Sequence, residues 1–560
     1  MACYQKRPNF LFILADDLGF SNIGCYGSEI QTPNINHLAS EGVRMLNHHT
    51  AAACFPTRAM LLSGTGAHLG GLGMFIEYKQ HAQGAARYLG KAGYEGYLNR
   101  DVATIPEILE DNVRTSFFRL IPLQWHLGLR SSQGPWKRGF QKAFAMLPGC
   151  SNHYGWEPVQ ERFPIGGRPI HADKEGKVDI TPNKNEDPEG FYSTDYYTDR
   201  LFNSLRGVQR RRTPHWPLQC SCAQRNKYKG VYDDGPYALW DRRLKKLVDL
   251  GIIDESVVPH CVETFRVGVE EWDSLVEDEE KLSSRAMETY AGMVDSIDVN
   301  VGKAIEYLKK TGENDNTMII FMNDNGDEGA STAVLGQNIM DAIHKYYDNS
   351  YDNIRSYNSY TWLGPLWAQA STAPSRLFKC SFTRSFTTVM DFVPTFLGLA
   401  VVPLQPAPAK GPRAMTTSRG RPVHAVKGKS WVPFFARGEA IEKDELWAIH
   451  SSSEPIGWEL FARGALRKGD WKIGDDGWEL FNIVEDPGET KDLAKDEPGK
   501  LQELLKHWDE YVVECGIIWG EGDLAPGLSA DEAPELWEDE MGLQKAWMDA
   551  RGGGRPVSCQ

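Results

Sequence analysis

Two short runs far apart in the chain are apolar at nearly every position. One spans Phe10 to Ala15 and the other Thr317 to Met322. A strand exposed on one face alternates, whereas a strand covered on both faces does not, so both runs read as buried strands of a parallel sheet. Each ends in oxygen-bearing side chains: Asp16 and Asp17 after the first, Asn323, Asp324 and Asn325 after the second. Elsewhere the apolar period lengthens. Met287, Tyr290, Val294, Ile297, Val301, Ile305 and Leu308 recur at helical spacing, and Gly312 stops the segment. Thr32, Pro33 and Gly42 bracket another helix as N-cap, first residue and end signal. Val43 to Leu46 reads as a short strand leading into a loop at Cys54. Strand, helix, strand, helix in this order predicts an α/β fold, with a large, mainly parallel central sheet flanked by helices.

The pattern changes past the middle. Phe386 to Leu399 reads as a helix, and Pro, Ala, Gly and basic residues then crowd 402–421, as in a linker. Beyond lie short strand-like pieces at Leu446–Ile449, Trp471–Ile473 and Trp478–Phe481. Leu501, Leu504, Leu505, Trp508, Val512 and Cys515 form one apolar helix face. The expected organisation is an α/β domain at 1–410, a smaller α+β unit at 411–520 and an acidic tail at 521–560. That tail is expected to be partly helical, near Leu536 to Met548, or flexible.

Composition narrows the classes. At 560 residues the chain exceeds one ordinary core. A net charge of −15 argues against nucleic acid as a partner. No run approaches the roughly 18 apolar residues of a membrane span. The first residues lack a secretory pattern and no Asn-x-Ser/Thr sequon occurs, so the expected location is cytoplasmic. The 10 cysteines contain no C-x-x-C pair, and Cys220 and Cys222 near His215 are poorly spaced for zinc.

The strand ends carry the chemistry. Sites in open α/β sheets form outside the carboxyl ends of strands. If the two buried strands are neighbours, Asp16, Asp17, Asp324 and Asn325 converge. Carboxylates so placed repel one another unless a cation sits between them, and hard oxygen ligands favour Ca²⁺ or Mg²⁺ over zinc. The same residues also end strands simply as turn formers. Between the strands lies Cys54-Phe-Pro-Thr-Arg58. Proline early in a helix puts Cys54 just before the N-terminus and Arg58 in the first turn. Free N–H groups and an arginine fork there suit a tetrahedral anion such as sulfate or phosphate. Cys54 reads either as a low-pKa nucleophile or as a buried packing residue.

In these residues the chain resembles the type I sulfatases of the alkaline phosphatase superfamily, and most of all the bacterial and fungal arylsulfatases. The family's Cys-x-Pro-x-Arg pattern stands at Cys54–Arg58. Further matches are Asn9–Gly19, Trp125–Gly128, Pro214–Gln219, Asn323–Gly326, Ala373–Leu377 and Glu485–Glu489. The resemblance implies an alkaline-phosphatase-like fold and hydrolysis of aryl or small alkyl sulfate esters. It implies that Cys54 is oxidised by a formylglycine-generating enzyme to formylglycine (3-oxoalanine). One hydroxyl of the aldehyde hydrate would attack sulfur and the other would let sulfate leave. It implies one Ca²⁺, or less readily Mg²⁺, held by Asp16, Asp17, Asp324 and Asn325. Arg58 would stabilise charge, His126 would contact the formylglycine, His215 would protonate the leaving oxygen and Lys379 would bind sulfate. The implied partners are thus a small sulfate ester and the modifying enzyme, with no nucleic acid and no membrane.

Several positions depart from the family pattern. Phe55 is bulky where a small residue is usual. Gln124 replaces a sulfate-binding lysine, in a stretch, Val113–Leu123, unlike the usual strand. Gly207–Thr213 is basic where an apolar strand is usual, and Cys380–Ser385 lacks the usual glycine-containing loop. Gln124 and the disrupted strands keep one alternative open, a catalytically impaired sulfatase-like binding protein; the cysteine loop, shared with related enzymes, keeps another, a phosphonate or phosphate ester hydrolase of the same superfamily.

Overall fold

A computed structural model describes residues 7–74, 88–113, 119–155, 171–178, 191–206, 226–260, 262, 270–329, 337–372, 386–404, 414–436, 449–474 and 477–519. In chain order these hold β1 (Asn9–Ala15), α1 (Pro33–Glu41), β2 (His48–His49), α2 (Cys54–Ser63) and α3 (Ile105–Asn112). There follow β3 (Arg119–Gln124), β4 (Lys142–Met146), β5 (His171–Asp173), β6 (Gly176–Val178), α4 (Ser193–Arg206), α5 (Gly235–Asp249) and α6 (Glu277–Thr311). Next come β7 (Thr317–Asn323), α7 (Gln337–Tyr346), α8 (Pro365–Ser371), β8 (Thr387–Thr388) and α9 (Phe392–Leu399). The last are β9 (Met415–Ser418), β10 (Arg421–His424), α10 (Val432–Phe435), β11 (Pro455–Leu460), β12 (Arg463–Lys468), β13 (Trp471–Gly474), β14 (Glu479–Asn482) and α11 (Pro498–Cys515).

The two apolar runs are neighbours. β1 pairs parallel with β7 in continuous register from Asn9↔Thr317 to Ala15↔Asn323. The pair is covered on both faces, as its composition requires. Phe10, Phe12 and Leu14 pack with α2 and α9, where Phe10 stacks on Phe396 at 4.4 Å and Phe12 meets Phe392 edge-on at 4.9 Å. Ile13, Ile319 and Phe321 face the opposite way, onto Met287, Ala291 and Val294 of α6. α6 carries four acidic residues in its first turn and Lys309 and Lys310 in its last, in the sense that suits the helix dipole. Gly312 ends it in the left-handed conformation (φ 71°).

Thr32 stands at the N-cap of α1 without making the expected side-chain cap. Its hydroxyl accepts from the Gly24 N–H instead. The cap comes from α6, whose buried Asp298 accepts from the N–H groups of Asn34 and Ile35 at 3.2 and 2.8 Å. Val43–Leu46 is not the expected strand: it holds an isolated bridge at Met45, and the strand is His48–His49, parallel to Thr387–Thr388. Leu46 packs among Leu247, Ile252 and Ile253, so its apolar character serves packing rather than a sheet. The expected helix from Phe386 starts only at Phe392, because β-branched Thr387 and Thr388 extend and pair with β2. The unusual stretch before Trp125 still forms β3, parallel to β4, with a register shift between Leu120 and Leu123. That shift brackets Pro122, which lacks an N–H for the ladder.

Part of the expected linker is the hairpin β9–β10. β11–β14 form an antiparallel sheet in chain order, and α11 packs on it through Leu504 and Trp508 against Leu466, Ile473 and Leu480. Nearly all of the Leu446–Ile449 piece and all of 521–560 lie outside the described residues. No helix among the described residues is long and apolar enough to cross a membrane.

Candidate active site

Parallel pairing in matched register brings both strands to an end at the same level. The Asp324 N–H donates to the Ala15 carbonyl at 3.1 Å, one step beyond the last pair of the ladder. Asp16 and Asp324 therefore leave the sheet side by side. α2 approaches them with its first residue. Extended Ala53 is the N-cap, so Cys54 lies inside the first turn and Arg58 in the second, each further into the helix than Pro56 suggested.

Arg58 is buried and binds three segments at once. Its Nε and Nη2 donate to Asp324 Oδ2 at 3.0 and 2.5 Å. Nη2 also reaches Asp16 Oδ1 at 3.2 Å, and Nη1 donates to the Gln124 carbonyl at 2.6 Å. These contacts use most of a guanidinium's five donors, so Arg58 acts first as a brace for the carboxylates. The Cys54 sulfur and one oxygen each of Asp16 and Asp324 lie within 4.8 Å of one another.

The donor set fits a divalent cation. Asp324 Oδ1 and Asn325 Oδ1 are buried with no hydrogen-bond partner. Asn325 turns its Nδ2 to Asp17 Oδ1 at 2.6 Å, which fixes its carbonyl oxygen as the free acceptor. Orphaned buried acceptors are rare because each forfeits its hydration. Enclosure by protein and then the charge of Asp324 push Asp16 well above the usual carboxylate range, although 40% of its side chain remains open. Burial, opposed by the Asn325 bond and aided by nearby carboxylates, holds Asp17 up at about 7. A divalent cation held among these oxygens would reverse that balance.

Cys54 Sγ lies 2.9 Å from His126 Nδ1 and 3.8 Å from Gln124 Nε2. Burial, reinforced by the charge of Asp16, pushes the Cys54 thiol far up from its ordinary value. Burial and then the Arg58 charge bring His126 down to about 3, leaving a neutral imidazole. His126 is held in the left-handed region (φ 49°), as is Asp17 (φ 49°). Such backbone clusters at functional sites. Gly149 makes room: a Cβ there would lie 2.5 Å from His126 Cε1. Phe55 is accommodated, buried edge-on to His126 with ring centroids 5.7 Å apart.

Asp16, Asp17, Cys54, Arg58, His126, Asp324 and Asn325 are thus brought to one place. His215 and Lys379 lie outside the described residues, as do Cys220, Cys222, Gly207–Thr213 and Cys380–Ser385. Sequence reasoning missed Asp327, which sits two residues past Asn325. Tyr290 reads from sequence as one more position on an apolar helix face, yet its hydroxyl lies 2.9 Å from the Asp17 carbonyl.

Oxygen donors, Cys54 and a buried arginine gather at the carboxyl ends of parallel strands, a candidate hydrolytic site in an alkaline-phosphatase-like α/β fold. The family model described as Sulfatase matches residues 8–402, and the chain belongs to that family of sulfuric ester hydrolases. It is 40% identical over 559 residues to an uncharacterized sulfatase of Schizosaccharomyces pombe, covering 93% of this chain and 96% of that one. It is 32% identical over 387 residues to an arylsulfatase of Klebsiella aerogenes, covering 67% and 77%. Among solved structures, Ps i-CgsB in complex with k-i-k-neocarrahexaose superposes with a TM-score of 0.56 at 19% identity, over 97% of this chain and 100% of that one. That likeness concerns the fold. A formylglycine and a divalent metal are typical of the family, and the Asp16, Cys54 and Asp324 cluster offers a place for them.

Proposed function

We propose that this chain hydrolyses aryl or small alkyl sulfate esters, with one Ca²⁺ held by Asp16, Asp17, Asp324 and Asn325. In the same reading a formylglycine-generating enzyme converts Cys54. The observation that carries it is the pair of donorless buried oxygens, Asp324 Oδ1 and Asn325 Oδ1, next to a braced arginine. When present, the ion supplies charge stabilisation for the sulfuryl oxygens and the modified residue supplies an oxygen nucleophile.

The chain's own residues do the remainder. Cys54 Sγ stands in for the side-chain oxygen of the modified residue. His126 Nδ1, 2.9 Å away and neutral at pH 7, can take a proton from that position and return it. Arg58 holds Asp16 and Asp324 together against their repulsion. His215 as acid at the leaving oxygen and Lys379 as sulfate-binding cation belong to the proposal on their motif positions alone. So does a division of the chain near residue 410.

Gln124 favours a second reading. Its Nε2 donates to the Gly149 carbonyl, which turns Oε1 away, and that oxygen is buried without a partner. An acceptor suits a protonated ester oxygen, which the monoanion of a phosphate monoester has and a sulfate ester lacks. Peptide mass spectrometry across Cys54 should find the aldehyde, and the protein should release sulfate from a chromogenic aryl sulfate. A thiol at position 54 in active protein overturns the formylglycine assignment. Faster cleavage of matched phosphate or phosphonate esters moves the substrate to the second reading.

A further inference from the structure

We propose that Asp327 and Tyr290 are positioning residues for the cation, forming a clamp that sets the backbone of the Asp16–Gly19 turn. The inference rests on the metal reading above. Asp327 Oδ1 accepts from the Gly19 N–H at 2.6 Å and from the Tyr290 hydroxyl. Asn22 Nδ2 donates to both carboxylate oxygens, at 2.9 and 2.7 Å. The Tyr290 hydroxyl lies 2.9 Å from the Asp17 carbonyl, so α6 and the segment after β7 grip the turn on either side of Leu18.

The turn needs such a grip. Asp17 is a non-glycine residue at φ 49°, a conformation that the chain adopts only where its surroundings impose it. Gly19 is pressed against the clamp, since a Cβ there would lie 2.7 Å from Asp327 Oδ2 and 2.8 Å from Asn22 Nδ2. The clamp is itself aimed. Fully buried Arg243 donates to Asn22 Oδ1 at 2.6 Å, which commits the other end of that amide to Asp327. Arg243 is held in turn by a fork onto Glu29, at 2.8 and 3.1 Å, and by Ser371 Oγ at 3.1 Å.

Hydrogen bonding separates this role from that of a ligand. Both Asp327 oxygens already have donors, whereas Asp324 Oδ1 and Asn325 Oδ1 have none. Asp327 and Tyr290 therefore act through the Asp16–Gly19 backbone rather than by touching the ion, as groups behind metal ligands commonly do.

Calorimetric titration of Ca²⁺ into the chelator-treated full chain tests this. Asp327→Asn and Tyr290→Phe should each weaken Ca²⁺ binding, by about 10- to 100-fold for Asp327→Asn and less for Tyr290→Phe. The far-ultraviolet circular dichroism should be retained. At saturating Ca²⁺ the turnover of Tyr290→Phe should return to the parent value. If Asp327→Asn fails to fold, Tyr290→Phe, which loses a single hydroxyl, decides the matter. Parent affinity within twofold in a folded variant overturns the clamp while leaving the metal reading intact. Absence of Ca²⁺ binding by the parent overturns the metal reading, and the clamp with it.

Discussion

Two aspartates in this molecule, Asp324 and Asp391, are equally inaccessible, each at 0% exposure, yet they live in opposite conditions. Asp391 is saturated. It accepts from the Thr388 and Lys429 N–H groups at 2.8 and 2.7 Å, and from the Trp431 indole at 3.3 Å. His450 Nε2 sits 2.9 and 3.1 Å from its two oxygens. Asp324 gives one oxygen to Arg58 and keeps the other without a donor. Burial alone therefore does not mark a functional carboxylate. A filled hydrogen-bond complement marks a structural tie, here joining the start of α9 to the segment before β11. The unfilled oxygen of Asp324 lies instead in the cluster with Asp16 and Cys54.

The sharpest way to break this contrast is to delete both carboxylates separately. Asp324→Ala should abolish Ca²⁺ binding and lower sulfate-ester turnover by on the order of 10³-fold or more. Asp391→Ala should leave Ca²⁺ affinity unchanged in folded protein but lower unfolding free energy by about 3–5 kcal/mol in urea titrations, because it strands buried partners. Retained Ca²⁺ binding in Asp324→Ala would sink the metal assignment.

The histidines extend the test. His126→Ala should lower kcat by about 10²–10⁴-fold with a small change in melting temperature. His450→Gln should do the reverse, and an equal loss of rate would dissolve the distinction. The pH dependence of stability follows from His450. Burial opposes its charge, but its bonds to Asp391 and Glu454 win and raise it to about 9 from 6.5. The stabilisation is complete below about pH 6.5 and is lost as pH climbs through about 9. Thermal melts should show that alkaline limb, and His450→Gln should remove it.

The smallest expected effect concerns backbone strain. Phe461 and Ala462, at φ 53° and 60°, turn between β11 and β12 where glycine or asparagine is usual. Ala462→Gly should raise stability by up to about 1 kcal/mol at unchanged turnover. The comparable relaxation Asp17→Gly should lose Ca²⁺ binding. If it keeps Ca²⁺, Asp17 is a turn former and no ligand.

Much of the site was legible because its causes are local. A strand buried on both faces is apolar at odd and even positions alike, so β1 and β7 announced themselves. Their polar ends, with the early proline beside Cys54, pointed to one pole. What stayed hidden depended on partners far along the chain. The cap of α1 is supplied by Asp298, and nothing near Thr32 signals it. β2 is a strand only because Thr387 and Thr388 lie beside it. Tyr290 looked like one more apolar position on α6, since periodicity reports a face and not the errand of a hydroxyl at its edge.

The order of residues settles which segments can be covered on both sides and which residue types are available to bind a hard cation and a tetrahedral anion. Which carboxylate oxygens are left without donors is settled only once the chain has folded. That depends on where every neighbouring N–H and hydroxyl finally points, a property of close packing between distant segments. It is this distribution of donors that separates Asp324 from Asp391.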